Sequence, residues 1–303
     1  MGYINQSGKF NDTTWLIDAA FKTLEGNVIR GGHAAYLIKT EDNFNCLINA
    51  GTQSGAKNIY KGLIKIGAWP LQRIIITHSH WDHTQGIIYL RNKEIQENLP
   101  QIEIFASKKA LPRLSDQSYN YCFTSEEINT EYQNIEGVIP LEKTIQLGSH
   151  YSLEIIETPG HMEDHISVYD KQTKTLFCGD TIGMHWFPKF YVCNANSIYW
   201  KEKGYLESMR KMKSLDTEYL CIAHFGVLTE NDILNFIDKS VSMYYRWMEV
   251  FERFSDRIED FNFIVNQIWD NVYKEFHTFQ MLKETLIGAV KNAIVYYNGI
   301  KKA

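Results

Sequence analysis

Proline is scarce, with 6 residues in 303, and the last is Pro188, so nothing interrupts long helices in the C-terminal third. Cysteine is scarcer still. The five thiols (Cys46, Cys122, Cys178, Cys193 and Cys221) are scattered, odd in number and form no CxxC pair, which argues against a zinc ribbon or a disulfide framework. No apolar run approaches the ~20 residues that span a bilayer. The start, MGYINQSGKF, has no basic-then-apolar secretory pattern, and Gln6 stands where myristoylation requires Ser or Thr. A cytoplasmic chain with no membrane partner is the expectation. Positive charge is also not in excess: 31 Lys and Arg face 36 acids, for a formal net charge of −5, so there is no electrostatic footprint for nucleic acid. With 44% hydrophobic and 22% charged residues, the chain is not disordered.

What is present alternates short β-rich runs with helical stretches. His33–Lys39 and Asn45–Asn49 read as paired strands, Ala56–Ile66 as a helix, and Gln72–Thr77 as an apolar strand running into His78. Ile87–Gln96 reads as a helix and Ile102–Ala106 as a strand, and Thr144–Thr158 is extended apart from Gly148. Ile166–Tyr169 and Thr175–Cys178 flank a hairpin turn, Tyr205–Leu215 is helical, and Tyr219–Ala223 is a strand. Strands separated by helices imply layered α/β architecture. From Thr229, whose T-E-N-D run has the look of a helix N-cap, three helices are expected over roughly 230–254, 258–276 and 279–298. The predicted division is therefore a catalytic domain, 1–228, and a helical C-terminal cap, 229–303.

One segment carries the chemistry. His78-Ser79-His80-Trp81-Asp82-His83 packs four metal-ligand side chains into six residues directly after an apolar strand. If the chain stays extended, His78, His80 and Asp82 share a face, and a turn brings His83 alongside. Imidazole and carboxylate without thiolate suit Zn, Fe or Mn. Chance would produce HxHxDH in roughly 5 of 10,000 chains of this composition.

The segment resembles the HxHxDH signature of the metallo-β-lactamase superfamily. The resemblance continues in order through TPGH ending at His161, FCGD ending at Asp180, and AHFG containing His224, and covers roughly residues 13–228. It implies a four-layer αββα sandwich, here with an α-helical C-terminal extension. It also implies two divalent metal ions, zinc by preference. His78, His80 and His161 would bind the first, Asp82, His83 and His224 the second, and Asp180 would bridge them. A hydroxide shared by the two ions would attack a carbonyl or phosphoryl centre, with Asp82 positioned to orient it or carry a proton. No GxSxG elbow offers a serine nucleophile instead. His80 stands where flavodiiron members carry Glu, which argues against a redox role. Asn49, in LINAGT, falls where many members have a supporting Asp. Asp164 and His165 are expected to support the ligands rather than bind metal. His33, His150, His185 and His277 are expected to be structural or exposed.

The substrate must be argued from what surrounds such a site, because the fold hosts many chemistries. Aromatic residues crowd Gly183–Trp200, so Trp186, Phe187, Phe190 and Tyr191, together with Trp81, are the substrate-contact candidates, with packing against the C-terminal helices as the alternative. The helical tail resembles those of glyoxalase II and the quinolone-biosynthesis thioesterase. The expectation is a small-molecule thioester, ester or lactone, hydrolysed by a protein that could form a homodimer. The alternatives are a phosphodiesterase or nuclease of the same fold, or a catalytically idle binding or signalling protein.

Overall fold

A computed structural model describes residues 2–22, 28–122, 132–186, 190–192, 195, 197, 199–229, 232–276 and 280–302. The chain divides into two compact units. The first comprises Met1–Glu157, Asp164–Gly179 and Asp216–Glu230; the second comprises Thr158–Glu163, Asp180–Leu215 and Asn231–Ala303. Among the described residues, no helix is long and apolar enough to cross a membrane.

The first unit contains two seven-stranded sheets. One follows chain order across the sheet: Gly8–Lys9, Thr14–Asp18, Ala34–Lys39, Asn45–Ile48, Arg73–Ile76, Glu103–Ala106 and Val138–Pro140. Its first half is antiparallel, and its second half, from Asn45–Ile48 onward, is parallel. The other sheet runs Tyr3–Ile4, Val227–Thr229, Tyr219–Cys221, Thr175–Phe177, Ile166–Asp170, Tyr151–Glu157, Thr144–Leu147.

Alternation along the strands feeds two cores. Leu16, Tyr36, Ile38, Cys46, Ile48 and Ile75 point to the core shared with Leu153, Val168, Phe177 and Val227 of the other sheet. Their neighbours Ile17, Leu37, Leu47, Ile74 and Ile76 pack with Ile59 and Leu63 of α1 (Ala56–Ile66), and with Ile87 and Leu90 of the helix Gly86–Glu97. Ile74, Ile75 and Ile76 are apolar and buried at consecutive positions because both faces of their strand are covered, as parallel strands require. α1 stops at Gly67, which is left-handed (φ 70°, ψ 40°) and returns its N–H to the carbonyls of Ile64 and Leu63.

The second unit is mainly helical: Glu202–Lys213, Asp232–Arg253, Phe261–Val272 and Gln280–Lys302, with a short hairpin of Met184–Trp186 against Phe190–Val192. The three expected C-terminal helices are present. Thr229 ends a strand, pairing with Tyr219 and donating its N–H to Gly2 O, and the helix is described from Asp232. The expected cap turn between them, residues 230 and 231, lies outside the described residues. Trp200 and Trp247 are among the largest buried side chains; Trp200 stacks on Tyr205 (4.5 Å between centroids) and Tyr244 (5.5 Å).

Candidate metal centre

The strand Arg73–Ile76 ends one residue before Thr77, and His78–His80 continue as irregular chain. Trp81–Thr84 then forms a single helical turn. The expectation that Asp82 lies on an extended run with His78 and His80 is therefore corrected. A helical turn, started at His80 and tied by His83 N–H to His80 O, places Asp82 and His83 side by side.

The first unit gathers five of the predicted ligands. His78 Nε2 is 3.0 Å from His80 Nδ1, and the His78 and His83 rings are 4.2 Å apart. Asp82 Oδ2 lies 3.4 Å from His83 Nε2 and 3.8 Å from His224 Nε2. His78, His80, His83 and His224 are all buried. Burial raises the pKa of Asp82, but the imidazoles of His83, His33 and His224 outweigh it and hold the carboxyl well below its usual range. In the second unit, His161 Nε2 lies 3.6 Å from Asp180 Oδ2, and both residues are buried.

The supporting contacts orient these rings. Asn49 is left-handed (φ 61°), a conformation Asn tolerates well, and its Oδ1 accepts from both Thr77 N–H (3.0 Å) and Thr77 Oγ1 (3.1 Å). With its proton committed to Asn49, the Thr77 hydroxyl can accept from His78 Nδ1 (3.2 Å), which puts the lone pair of His78 on Nε2. Asn49 thus keeps the acceptor that an Asp would supply. His224 Nδ1 lies 3.1 Å from the Gly32 carbonyl, so its lone pair also falls on Nε2, the nitrogen facing Asp82. Ser79 is held at both ends, its N–H by Asp164 Oδ2 (3.0 Å) and its carbonyl by Tyr119 OH. Burial raises the pKa of Asp164 above the usual carboxylate value. Trp81 N–H donates to Asn120 Oδ1 at 3.2 Å, and His165 stacks on His78 with centroids 4.9 Å apart. Asp164 thus holds the Ser79 backbone, and His165 packs on the His78 ring.

Two glycines explain the other motifs. A Cβ on Gly160 of TPGH (φ 145°) would fall 2.5 Å from Tyr205 Cα, so only glycine lets this turn lie on the helix Glu202–Lys213. Lys201 N–H and Ser208 Oγ fasten the same turn through the Gly160 and Pro159 carbonyls. A Cβ on Gly179 of FCGD (φ 52°) would fall 2.5 Å from His165 Nε2.

His33 is the residue that sequence reasoning missed. It is buried rather than a bystander: its Nδ1 lies 3.6 Å from Asp82 Oδ2, and its ring is 4.8 Å from that of His224. One ligand atom from each of His33, Asp82 and His224 lies within 4.8 Å of the others. The available signal was the Gly31-Gly32 pair before it, a turn that delivers His33 to the start of Ala34–Lys39. Of the other histidines, His150 is exposed, His185 is buried against Tyr191 and Phe236, and His277 lies outside the described residues.

The substrate-contact candidates divide. Trp81 is half-buried, with its ring 6.0 Å from that of Tyr132. Phe190 is fully buried against Tyr273 and Phe276, and Tyr191 packs on Phe236 at 4.5 Å. Phe187 and the side chain of Trp186 lie outside the described residues.

Residues 28–224 match the metallo-beta-lactamase superfamily. The chain belongs to that superfamily. The superfamily includes metal-dependent hydrolases, and the α/β sandwich described above is its fold. Solved structures agree on the fold. An archaeal superfamily protein from Sulfolobus tokodaii is 19% identical with a TM-score of 0.57, covering 78% of this chain and 87% of its own. A metallo-beta-lactamase from Pontibacter korlensis is 15% identical with a TM-score of 0.58, covering 79% and 99%. A subclass B3 metallo-beta-lactamase of Bradyrhizobium japonicum is 16% identical with a TM-score of 0.58, covering 80% and 93%.

The donor set fits divalent metal. It is rich in imidazole, contains carboxylate, and has ring tautomers fixed by Thr77 and the Gly32 carbonyl, as metal-bound histidines require.

Proposed function

We propose that this metallo-beta-lactamase superfamily member hydrolyses a small-molecule carbonyl compound, with a thioester favoured over an ester or lactone. The supporting observation is the buried histidine cluster around Asp82, in which His83 Nε2 (3.4 Å), His33 Nδ1 (3.6 Å) and His224 Nε2 (3.8 Å) all face Oδ2 of that carboxylate. On the superfamily pattern, His78, His80 and His161 would hold one ion, Asp82, His83 and His224 would hold a second, and Asp180 would be a ligand at the same centre, with zinc as the proposed metal. Bound there, divalent metal supplies a Lewis acid and lowers the pKa of water. The chain's own residues do the rest. Thr77 and the Gly32 carbonyl fix which nitrogens face the centre, Asp82 remains a carboxylate that can orient or accept a proton, and Asp164 with Tyr119 keeps the Ser79 backbone from shifting. Trp81 is the aromatic side chain proposed to meet the acyl group. A cytoplasmic location accords with this chemistry.

The test is a hydrolysis panel on metal-replete protein, with Asp180→Asn as the blank. The substrates are acyl-coenzyme A and glutathione thioesters, acyl-homoserine lactones and phosphodiesters. Turnover of thioesters that is lost in the variant supports the reading. Turnover confined to phosphodiesters would replace it with phosphodiester hydrolysis, and no turnover on a metal-loaded protein would favour a binding role.

A further inference from the structure

A second feature of the first unit lies outside the metal cluster. Between α1 and the strand Thr14–Asp18 lies a groove of about 870 Å³, whose walls carry five cations, Lys9, Arg30, Lys57, Lys61 and Lys65, against one carboxylate, Asp18. This concentration of positive charge stands out in a protein whose formal net charge is −5.

The lysines of α1 are arranged in a row. Lys57, Lys61 and Lys65 fall at i, i+4 and i+8 on one helix face, about 6 Å apart per step and about 12 Å from end to end. The sequence of α1, AKNIYKGLIKI, contains no acid, and all three lysines are exposed. Among the described residues, none of the three has an ion-pair partner. Like charges at this spacing repel and weaken the helix, so the row costs stability unless an anion neutralises it. Lys9 reaches the same groove from the facing strand pair, with its Nζ 5.0 Å over the Trp15 ring.

We infer that this groove binds a multiply phosphorylated small molecule through the Lys57–Lys61–Lys65 row. Lysine serves as a point charge for phosphate, and three lysines in line suit an anion with several phosphate charges better than a single carboxylate. A volume of about 870 Å³ is that of a small-molecule site rather than of a track for a polymer. The inference is independent of the hydrolytic reading, since none of these residues belongs to the metal cluster.

The test uses the full, metal-loaded protein, with sodium tripolyphosphate as probe and sulfate at matched ionic strength as control. Tripolyphosphate should raise Tm, and should protect Lys57, Lys61 and Lys65 from acetylation, read by mass spectrometry, while Lys108 and Lys143 stay reactive. The triple variant K57Q/K61Q/K65Q removes exposed like charges, so its fold should hold. It should lose about tenfold or more in tripolyphosphate affinity. Uniform labelling with and without probe, or equal affinity in the triple variant, overturns the inference. Tighter, row-dependent binding of a single-stranded oligonucleotide overturns the small-molecule assignment. Should the variant misfold, protection in the wild-type protein decides alone.

Discussion

Nδ1 of His33 stands 3.6 Å from Oδ2 of Asp82, although His33 precedes the strand Ala34–Lys39 and Asp82 lies in the helical turn that follows Arg73–Ile76. That contact ties the turn after Gly32 to the HxHxDH segment. His224 joins it, because its Nδ1 faces the Gly32 carbonyl and its ring packs on His33. We propose that His33 positions Asp82 and His224 through these contacts. His33→Ala should lower metal affinity or turnover about 10- to 100-fold. Metal titration and steady-state kinetics on the same preparation check this, and wild-type values for both would make His33 a packing residue.

Asn49 supports the opposite side of the cluster. Asn49→Ala leaves Thr77 N–H and Oγ–H without their acceptor, costing about 1–3 kcal/mol of stability. It also frees the hydroxyl that orients His78, so metal affinity should fall with Tm. Asn49→Asp keeps the acceptor and should restore both. Thermal melts of the two variants, with and without metal, separate the outcomes.

Metal should also support the fold. A ligand that binds the native state alone stabilises it by mass action. Chelator dialysis should lower Tm, and adding zinc back should restore it. An unchanged Tm would mean that the cluster is held by protein contacts alone.

Glu94 gives a pH signature away from the site. Burial pushes its pKa up to about 6, against the pull of the Ile102 N–H and Arg91. A folded value above the unfolded one means that the native state binds more protons, so this residue's contribution to stability falls as pH rises through that window. Relative to Glu94→Gln, the wild-type Tm should decline as pH rises from about 4.5 to about 6. A pH-independent gap between the two would show that the carboxyl is not desolvated.

Much of this was legible in the sequence, for physical reasons. Arg73–Ile76 reads as a strand because apolar residues on both faces leave no other economical burial, and HxHxDH stands out because four ligands in six residues are improbable by chance. TPGH and FCGD are legible as motifs, and their glycines prove to be steric necessities beside Tyr205 and His165. His33 was not legible, since a lone histidine carries no spacing signal and its partner is 49 residues away in sequence. The strand Tyr3–Ile4 was missed for a related reason. It is two residues long and exists through pairing with Val227–Leu228, a contact that no local pattern encodes. Thr229 carries a cap-like sequence and also closes the ladder with Tyr219, a pairing that the local pattern does not encode.

The most direct measurement is metal stoichiometry by elemental analysis of the purified protein beside its Asp82→Asn and Asp180→Asn variants, with hydrolysis assayed on the same samples. The account predicts two divalent ions per chain in the wild type, fewer in each variant, and activity that falls with occupancy. Full activity in metal-free protein, or two ions retained in both variants without loss of turnover, would contradict it.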